Sequence, residues 1–137
     1  MWKGICVIFS LILFIAVLGV LYVKLSPLNT DQWHVNVEAS ADQDFPSGAV
    51  RIIKGDAHRF GNLNSALQAL PRTTLLGGSV PAGHVTYVTR SALIGFPDLT
   101  TIQQSGDQIK LMARLRFGLS DLGVNRKRLE RLIATLQ

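Results

Sequence analysis

The chain has 137 residues, 47% of them hydrophobic, and a formal net charge of +5. Lys3 and Lys24 flank an N-terminal apolar run, which leaves +3 on the remainder, and the aromatic residues there do not alternate with basic ones. This pattern excludes a base-stacking platform, so we expect no nucleic acid partner. The only cysteine, Cys6, lies in the apolar run, so no disulfide holds the domain.

Residues 4–23 form an uncharged apolar run, GICVIFSLILFIAVLGVLYV. A helix rises about 1.5 Å per residue, so this run spans about 30 Å, the thickness of the hydrocarbon core of a bilayer. Trp2 and Tyr22 stand at its two ends, where aromatic rings prefer the headgroup level. We therefore predict a transmembrane anchor over residues 1–24 of a single-pass membrane protein.

A cleaved signal peptide is the alternative interpretation of this run. A cleavage site needs small residues shortly after the apolar stretch, and the sequence there is KLSPL. The small residues at 39–41 lie too far downstream, so we favour an uncleaved signal-anchor.

The charges around the anchor suggest its orientation. Lys3 and the α-amino group precede it, and only Lys24 follows it closely, which favours an N-terminus on the inside. The domain is then periplasmic, on a protein of the inner (cytoplasmic) membrane.

Residues 25–47 read as a linker because they are rich in Pro, Ser, Asn and Asp, although Trp33 and residues 35–37 alternate as a short strand would. A single domain then occupies residues 48–137. It begins with a strand over 49–53, followed by a helix over 57–70 with Asp56 as its N-cap. An edge strand over 73–80 comes next, interrupted by two glycines.

Three further strands are predicted over residues 84–94, 99–104 and 108–117, with a hairpin turn at 105–107. The last strand alternates between apolar residues and a basic face. A final helix over 126–136 carries an apolar stripe that we expect to pack on that strand; the two sets are Leu129, Leu132, Ile133 and Leu136, and Ile109, Leu111, Leu115 and Phe117. The fold class is therefore α+β: an N-terminal transmembrane helix followed by a small antiparallel sheet with helices packed on one face.

The stretch RLRFGLSDLGVNRKRLE, residues 114–130, resembles the domain-of-unknown-function 1499 family of bacterial and plastid proteins. The family motif Gly-x-Ser-Asp-x-Gly-x-Asn-x-x-Arg is matched by Gly118, Ser120, Asp121, Gly123, Asn125 and Arg128. Upstream, RSALIGFPD at residues 90–98 resembles a second family element, with Leu99 where the family has another aspartate. The resemblance covers about residues 57–136 and implies membership, but this family has no established activity and so implies no mechanism.

The loop over residues 120–125 has two interpretations. In the structural one, Ser120 and Asp121 accept local backbone N–H groups, Gly123 takes a positive φ and Asn125 caps the last helix. In the functional one, the helix N-terminus and nearby arginines bind an anionic lipid headgroup, a phosphorylated glycan or a protein. The ligand-binding residues would be Arg90, Arg114, Arg116, Ser120, Asp121, Asn125, Arg126 and Arg128. Alternatively, Asp98 or Asp121 neutralises an arginine within the domain.

The sequence gives little support for catalysis. The three histidines, His34, His58 and His84, have no metal-ligand spacing, so we predict neither a metal nor another cofactor. The favoured function is a non-enzymatic protein of the cell envelope. The alternative is a hydrolase on an envelope substrate that uses Asp98, Asp121 and nearby arginines. A close set of Asp98, Asp121 and His84 in a concave pocket would favour this alternative.

Overall fold

The computed structural model describes all residues, 1–137. The helices are α1 (Trp2–Leu25), α2 (Thr30–Trp33), α3 (Ala57–Gln68) and α4 (Val124–Ala134). The strands are β1 (Gln43–Phe45), β2 (Gly48–Lys54), β3 (Thr73–Ser79), β4 (His84–Arg90), β5 (Pro97–Ser105) and β6 (Gln108–Leu115). This arrangement confirms the predicted α+β class with one apolar N-terminal helix.

The six strands form one antiparallel sheet in the order β1-β2-β6-β5-β4-β3. The β5–β6 hairpin turns at Gly106, whose φ of 61° is open to glycine without strain, as the sequence predicts. β2 pairs with β6 along its whole length, from Gly48 opposite Arg114 to Lys54 opposite Gln108. β3 is the far edge and carries an irregularity between Leu75 and Gly77, close to the predicted glycine break.

Helices α3 and α4 cover one face of this sheet and close the hydrophobic core. Asp56 caps α3 by accepting the backbone N–H of Arg59 at 2.9 Å, which confirms the predicted N-cap. The core comprises Ala49, Phe60, Leu63, Leu67, Val85, Tyr87, Ile102, Ile109, Leu111, Ala113, Leu129 and Leu132. The predicted packing of the α4 stripe is therefore confirmed: Leu129 and Leu132 lie in the core with Ile109 and Leu111, and Ile133 and Leu136 pack against it. Leu115 and Phe117 lie outside the core.

Several strand and helix boundaries predicted from the sequence differ from those in the structure. β4 ends at Arg90 instead of residue 94, because Ser91 donates its N–H to Phe96 across a turn. The last helix begins at residue 124, two residues before its predicted start, and residues 35–37 form no strand.

The opposite face of the sheet is crossed by residues 26–37, which we name the strap. Its Val37 is almost fully buried and donates its N–H to the Gln103 side chain at 2.7 Å. The His34 ring nitrogen Nδ1 lies 2.8 Å from the Thr86 hydroxyl. Both faces of the sheet are thus covered, one by helices and the other by the strap.

Helix α1 is long and apolar enough to cross a membrane, with a mean hydropathy of 3.0 over an 18-residue window in which no residue is buried. The C-terminal end of α1 contacts the domain. The Tyr22 and Phe117 rings meet edge to face at 6.0 Å between centroids, and a Cβ on Gly95 would lie 3.7 Å from the Lys24 side chain. In the antiparallel sheet, β4 and β6 end where β2, β3 and β5 begin. We call this the anchor-side end of the sheet.

Candidate functional site

The arginines predicted to surround the 120–125 loop are divided between the two faces of the sheet. Arg114 and Arg116 follow the outward alternation of β6 and point to the strap, whereas Arg126 and Arg128 lie on α4. Each of these four side chains has protein partners within the domain.

Arg114 and Arg116 hold the strap against the sheet. Arg114 donates to the Trp33 carbonyl at 3.1 Å and stacks 5.0 Å from the centre of the Trp33 ring. Burial lowers the pKa of Arg114 from its ordinary value. Arg116 donates to the carbonyl and hydroxyl of Ser26 at 3.1 and 2.9 Å. These contacts make both arginines structural groups at this face.

Arg126 belongs to an ion-pair network near the surface. It lies 3.5 Å from Asp44 and 3.9 Å from Glu130, and Arg51 contacts the same two carboxylates at 2.8 and 3.3 Å. Exposed pairs of this kind contribute little to stability. Their acidic members also reduce the attraction of this surface for an anion.

The 120–125 loop is folded largely as the structural interpretation predicts. Ser120 accepts the N–H of Leu122, and the carboxylate of Asp121 accepts those of Gly123 and Asn125 at 2.8 and 3.0 Å. Gly123 has the expected positive φ, 80°. Asn125 does not cap α4, because the helix begins at Val124 with Gly123 in the N-cap position, and Asn125 lies in its first turn.

Asn125 instead joins a buried polar cluster with Arg128 and Asp98. Arg128 donates to one oxygen of Asp98 from both terminal nitrogens, at 3.3 and 3.4 Å, and also to the side chain of Asn125. The Asp98 and Arg128 side chains are only 17% and 14% exposed. Burial raises the pKa of Asp98, and the Arg128 charge opposes that shift. The internal neutralisation considered from the sequence is therefore present.

Arg90 and Ser91 shape the turn over residues 91–96. Arg90 donates to the carbonyl of Gly95 at 2.9 Å, while the hydroxyl of Ser91 accepts the N–H groups of Gly95 and Phe96. These contacts fix the turn at the anchor-side end.

The grouping required by the hydrolase alternative does not form. His84 lies on the strap face, stacked on His34 at 4.0 Å between ring centres, while Asp98 faces α4. No group of three or more His, Cys, Asp or Glu side chains is placed to hold a metal ion.

A cavity of about 270 Å³ opens between the end of α3 and one side of α4, from Val124 to Thr135. Three arginines line it, Arg72, Arg128 and Arg131, over an apolar floor that includes Leu70 and Leu132. No carboxylate lines it, and Arg72 and Arg131 have no acidic partner elsewhere in the structure. Sequence reasoning named only Arg128 of this set.

Arg72 also has an unusual backbone conformation. It is one of two non-glycine residues with a positive φ, at 55°. This left-handed conformation costs an L-residue about 1–2 kcal/mol. Arg72 therefore destabilises the fold at this position relative to glycine. Its Nε donates to the carbonyl of Arg90, which directs the guanidinium at the anchor-side end of the sheet.

Comparison with known proteins places the chain in a family. Residues 24–136 match the family described as "Protein of unknown function (DUF1499)". The match covers most of the chain, and the protein belongs to the DUF1499 family, as the resemblance implied. No curated protein matches the chain. The match begins at residue 24, directly after the apolar run, and so includes the strap.

Proposed function

We propose that this protein is a membrane-anchored binding module, held by α1, that takes an anionic amphipathic ligand in the cavity between α3 and α4. The observation that carries the proposal is the lining of that cavity, which combines apolar side chains with three arginines and no carboxylate. Arg128 is already paired with Asp98, so Arg72 and Arg131 are the two arginines left to bind an anion. Arginine binds phosphate or carboxylate oxygens through two parallel hydrogen bonds.

The composition of the cavity favours one class among the anionic partners that the sequence suggested. The floor contributed by Ala66, Leu70, Val124 and Leu132 suits a hydrocarbon segment, which a phosphorylated glycan lacks. A volume of about 270 Å³ accommodates part of a lipid, such as its headgroup and the start of a chain. The ligand class is therefore a phosphate or carboxylate joined to an apolar chain.

The position of the cavity is consistent with a lipid ligand. Its lining includes Pro71, Arg72 and Thr89, and Arg72 bonds to Arg90 at the end of β4. This is the end of the sheet that α1 contacts. A lipid in the same membrane would reach the cavity over a short distance.

The remaining sequence-based assignments are part of the same proposal. The domain lies on the periplasmic side of an inner membrane, and the module is not an enzyme. A reporter active only in the periplasm, fused after Gln137, should be active, and a matching cytoplasmic reporter should be inactive. The reverse pattern would place the domain inside the cell.

Binding is tested with hexyl phosphate added to the full chain in neutral detergent. We expect binding that weakens as salt rises. The double variant Arg72→Gln/Arg131→Gln should reduce affinity at least tenfold.

The matched control is Lys54→Gln/Arg59→Gln, which also removes two positive charges but lies at the other end of the sheet, beside Asp56 and Asp107. Equal loss in both variants would show a general charge effect and contradict the site. Inorganic phosphate and hexanol separate the contributions of the anion and the chain. Binding of inorganic phosphate as strong as that of hexyl phosphate would remove the amphipathic ligand from the proposal.

A further inference from the structure

Two loops at the anchor-side end expose large apolar side chains to solvent. Leu93 is 93% exposed in the turn over residues 91–96, and Leu119 and Leu122 are 92% and 88% exposed in the loop before α4. Ile94 and Phe96 are also exposed. Exposed apolar groups that cluster in this way mark a surface that meets another apolar phase.

Both loops adjoin the C-terminal end of α1. The first loop lies beside Lys24, since a Cβ added to Gly95 would come within 3.7 Å of that side chain. The second loop begins beside Phe117, whose ring meets that of Tyr22. Tyr22 and Lys24 are the residue types that sit at the headgroup level of a membrane helix. The apolar tips therefore lie next to the position that the bilayer surface takes around α1.

The connection between α1 and the domain holds the apolar loop tips beside the C-terminal end of α1. Ser26, directly after α1, is bonded twice to Arg116 at the end of β6. The domain thus has no free tether that would carry the loops away from the membrane.

The loops are also built to present their tips. Ser91 accepts two backbone N–H groups and holds the first turn closed. Leu122 has a φ of 53°, a strained conformation that glycine or asparagine would adopt at lower cost. A leucine that is both strained and exposed does not serve the stability of the domain.

We propose that these two loops insert their apolar tips into the bilayer that holds α1, so that the domain sits against the membrane surface. The occupant of this surface is lipid, and the basic side chains beside it, among them Lys24 and Arg72, suit headgroup phosphates. The inference rests on the proposed role of α1 as the anchor.

The test uses the full chain in phosphatidylcholine–phosphatidylglycerol vesicles with an environment-sensitive fluorophore on single cysteines. Leu93→Cys and Leu119→Cys carry the probe in a Cys6→Ser background. Val80→Cys is the matched control, because Val80 is an exposed apolar residue in the β3–β4 turn at the opposite end of the sheet. Native Cys6 carries the probe in a fourth sample and reports whether α1 lies in the bilayer.

We expect spin-labelled lipids to quench the probe at positions 6, 93 and 119, and aqueous iodide to quench it at position 80. Iodide quenching at position 93 or 119, with position 6 quenched by spin-labelled lipid, would overturn the inference. The apolar tips would then face water in the membrane-bound protein and could serve as a surface for a protein partner. Iodide quenching at position 6 would overturn the anchor and therefore both proposals. The two labelled leucines lie outside the core, so the variants retain the fold.

Discussion

Arg116 donates two hydrogen bonds to Ser26, at 3.1 Å to its carbonyl and at 2.9 Å to its hydroxyl. Ser26 directly follows α1, and Arg116 follows the last residue of β6. One arginine therefore links the end of the apolar helix to the end of a central strand. This contact holds the start of the strap against the sheet.

Replacing Arg116 by Gln should loosen the strap. We expect the backbone amides of residues 28–37 to exchange with deuterium faster, since local opening no longer requires breaking the hydrogen bonds to Ser26. Arg126→Gln is the control, because Arg126 makes only ion pairs near the surface. Unchanged exchange in Arg116→Gln would show that the other contacts, made by Trp33, His34 and Val37, are enough to hold the strap.

Leu132→Ala should lower the free energy of unfolding by about 2–5 kcal/mol, because Leu132 is only 3% exposed and lies in the core between α4 and the sheet. Leu119→Ala, at a fully exposed leucine, should change it by less than about 0.5 kcal/mol. Chemical denaturation measures the free energy of unfolding of both variants and so checks both predictions. Similar values would mean that α4 is not packed on β6.

Acidification should weaken the strap through His34. Burial, together with the neighbouring His84, lowers the pKa of His34 below its ordinary value of 6.5. The folded state then binds fewer protons than the unfolded state, so this stability is complete above 6.5 and falls as the pH drops toward the lowered pKa.

Amide exchange of residues 28–37 measured across this pH range provides the test. His34→Gln should remove the dependence, while His58→Gln, on the first turn of α3, should retain it. A wild-type profile that stays flat below 6.5 would contradict this role for the histidine.

Local patterns in the sequence predict much of the fold. The apolar run predicts α1, and Asp56 before an apolar stripe predicts the start of α3. The residues Ser-Gly-Asp between two alternating segments predict the β5–β6 turn. Each of these depends on residues close together in the chain. The sequence does not predict that the strap packs on the sheet, because its partners, such as Thr86 and Gln103, lie at least 50 residues away in the chain.

The candidate site was predicted less well for the same reason. Arg114 points from β6 to the face of the sheet that the strap covers, whereas Arg128 lies on α4, which packs on the opposite face. The two arginines are 14 residues apart in the sequence but lie on different sides of the sheet. The partner of Arg128 is Asp98, 30 residues earlier. Arg72 and Arg131 carry no motif, and only the meeting of α3 with α4 brings them to one cavity.

Arg72→Gly and Arg72→Ala should differ in stability although both remove the same side chain. Glycine relieves the backbone strain at a φ of 55°, so the glycine variant should be more stable by about 1 kcal/mol. Both variants should bind hexyl phosphate equally weakly. Thermal unfolding and ligand titration of the two variants provide the test, and an alanine variant as stable as the glycine variant would show that residue 72 is not strained.

The most direct test of the central claim is to locate a bound ligand on the full chain. A decyl phosphate with a photoreactive diazirine on its chain should crosslink to peptides that contain Leu70 and Leu132. Arg72→Gln/Arg131→Gln should abolish this labelling, and Lys54→Gln/Arg59→Gln should preserve it. Labelling confined to α1, or labelling of the cavity that persists without Arg72 and Arg131, would contradict an anion site between α3 and α4.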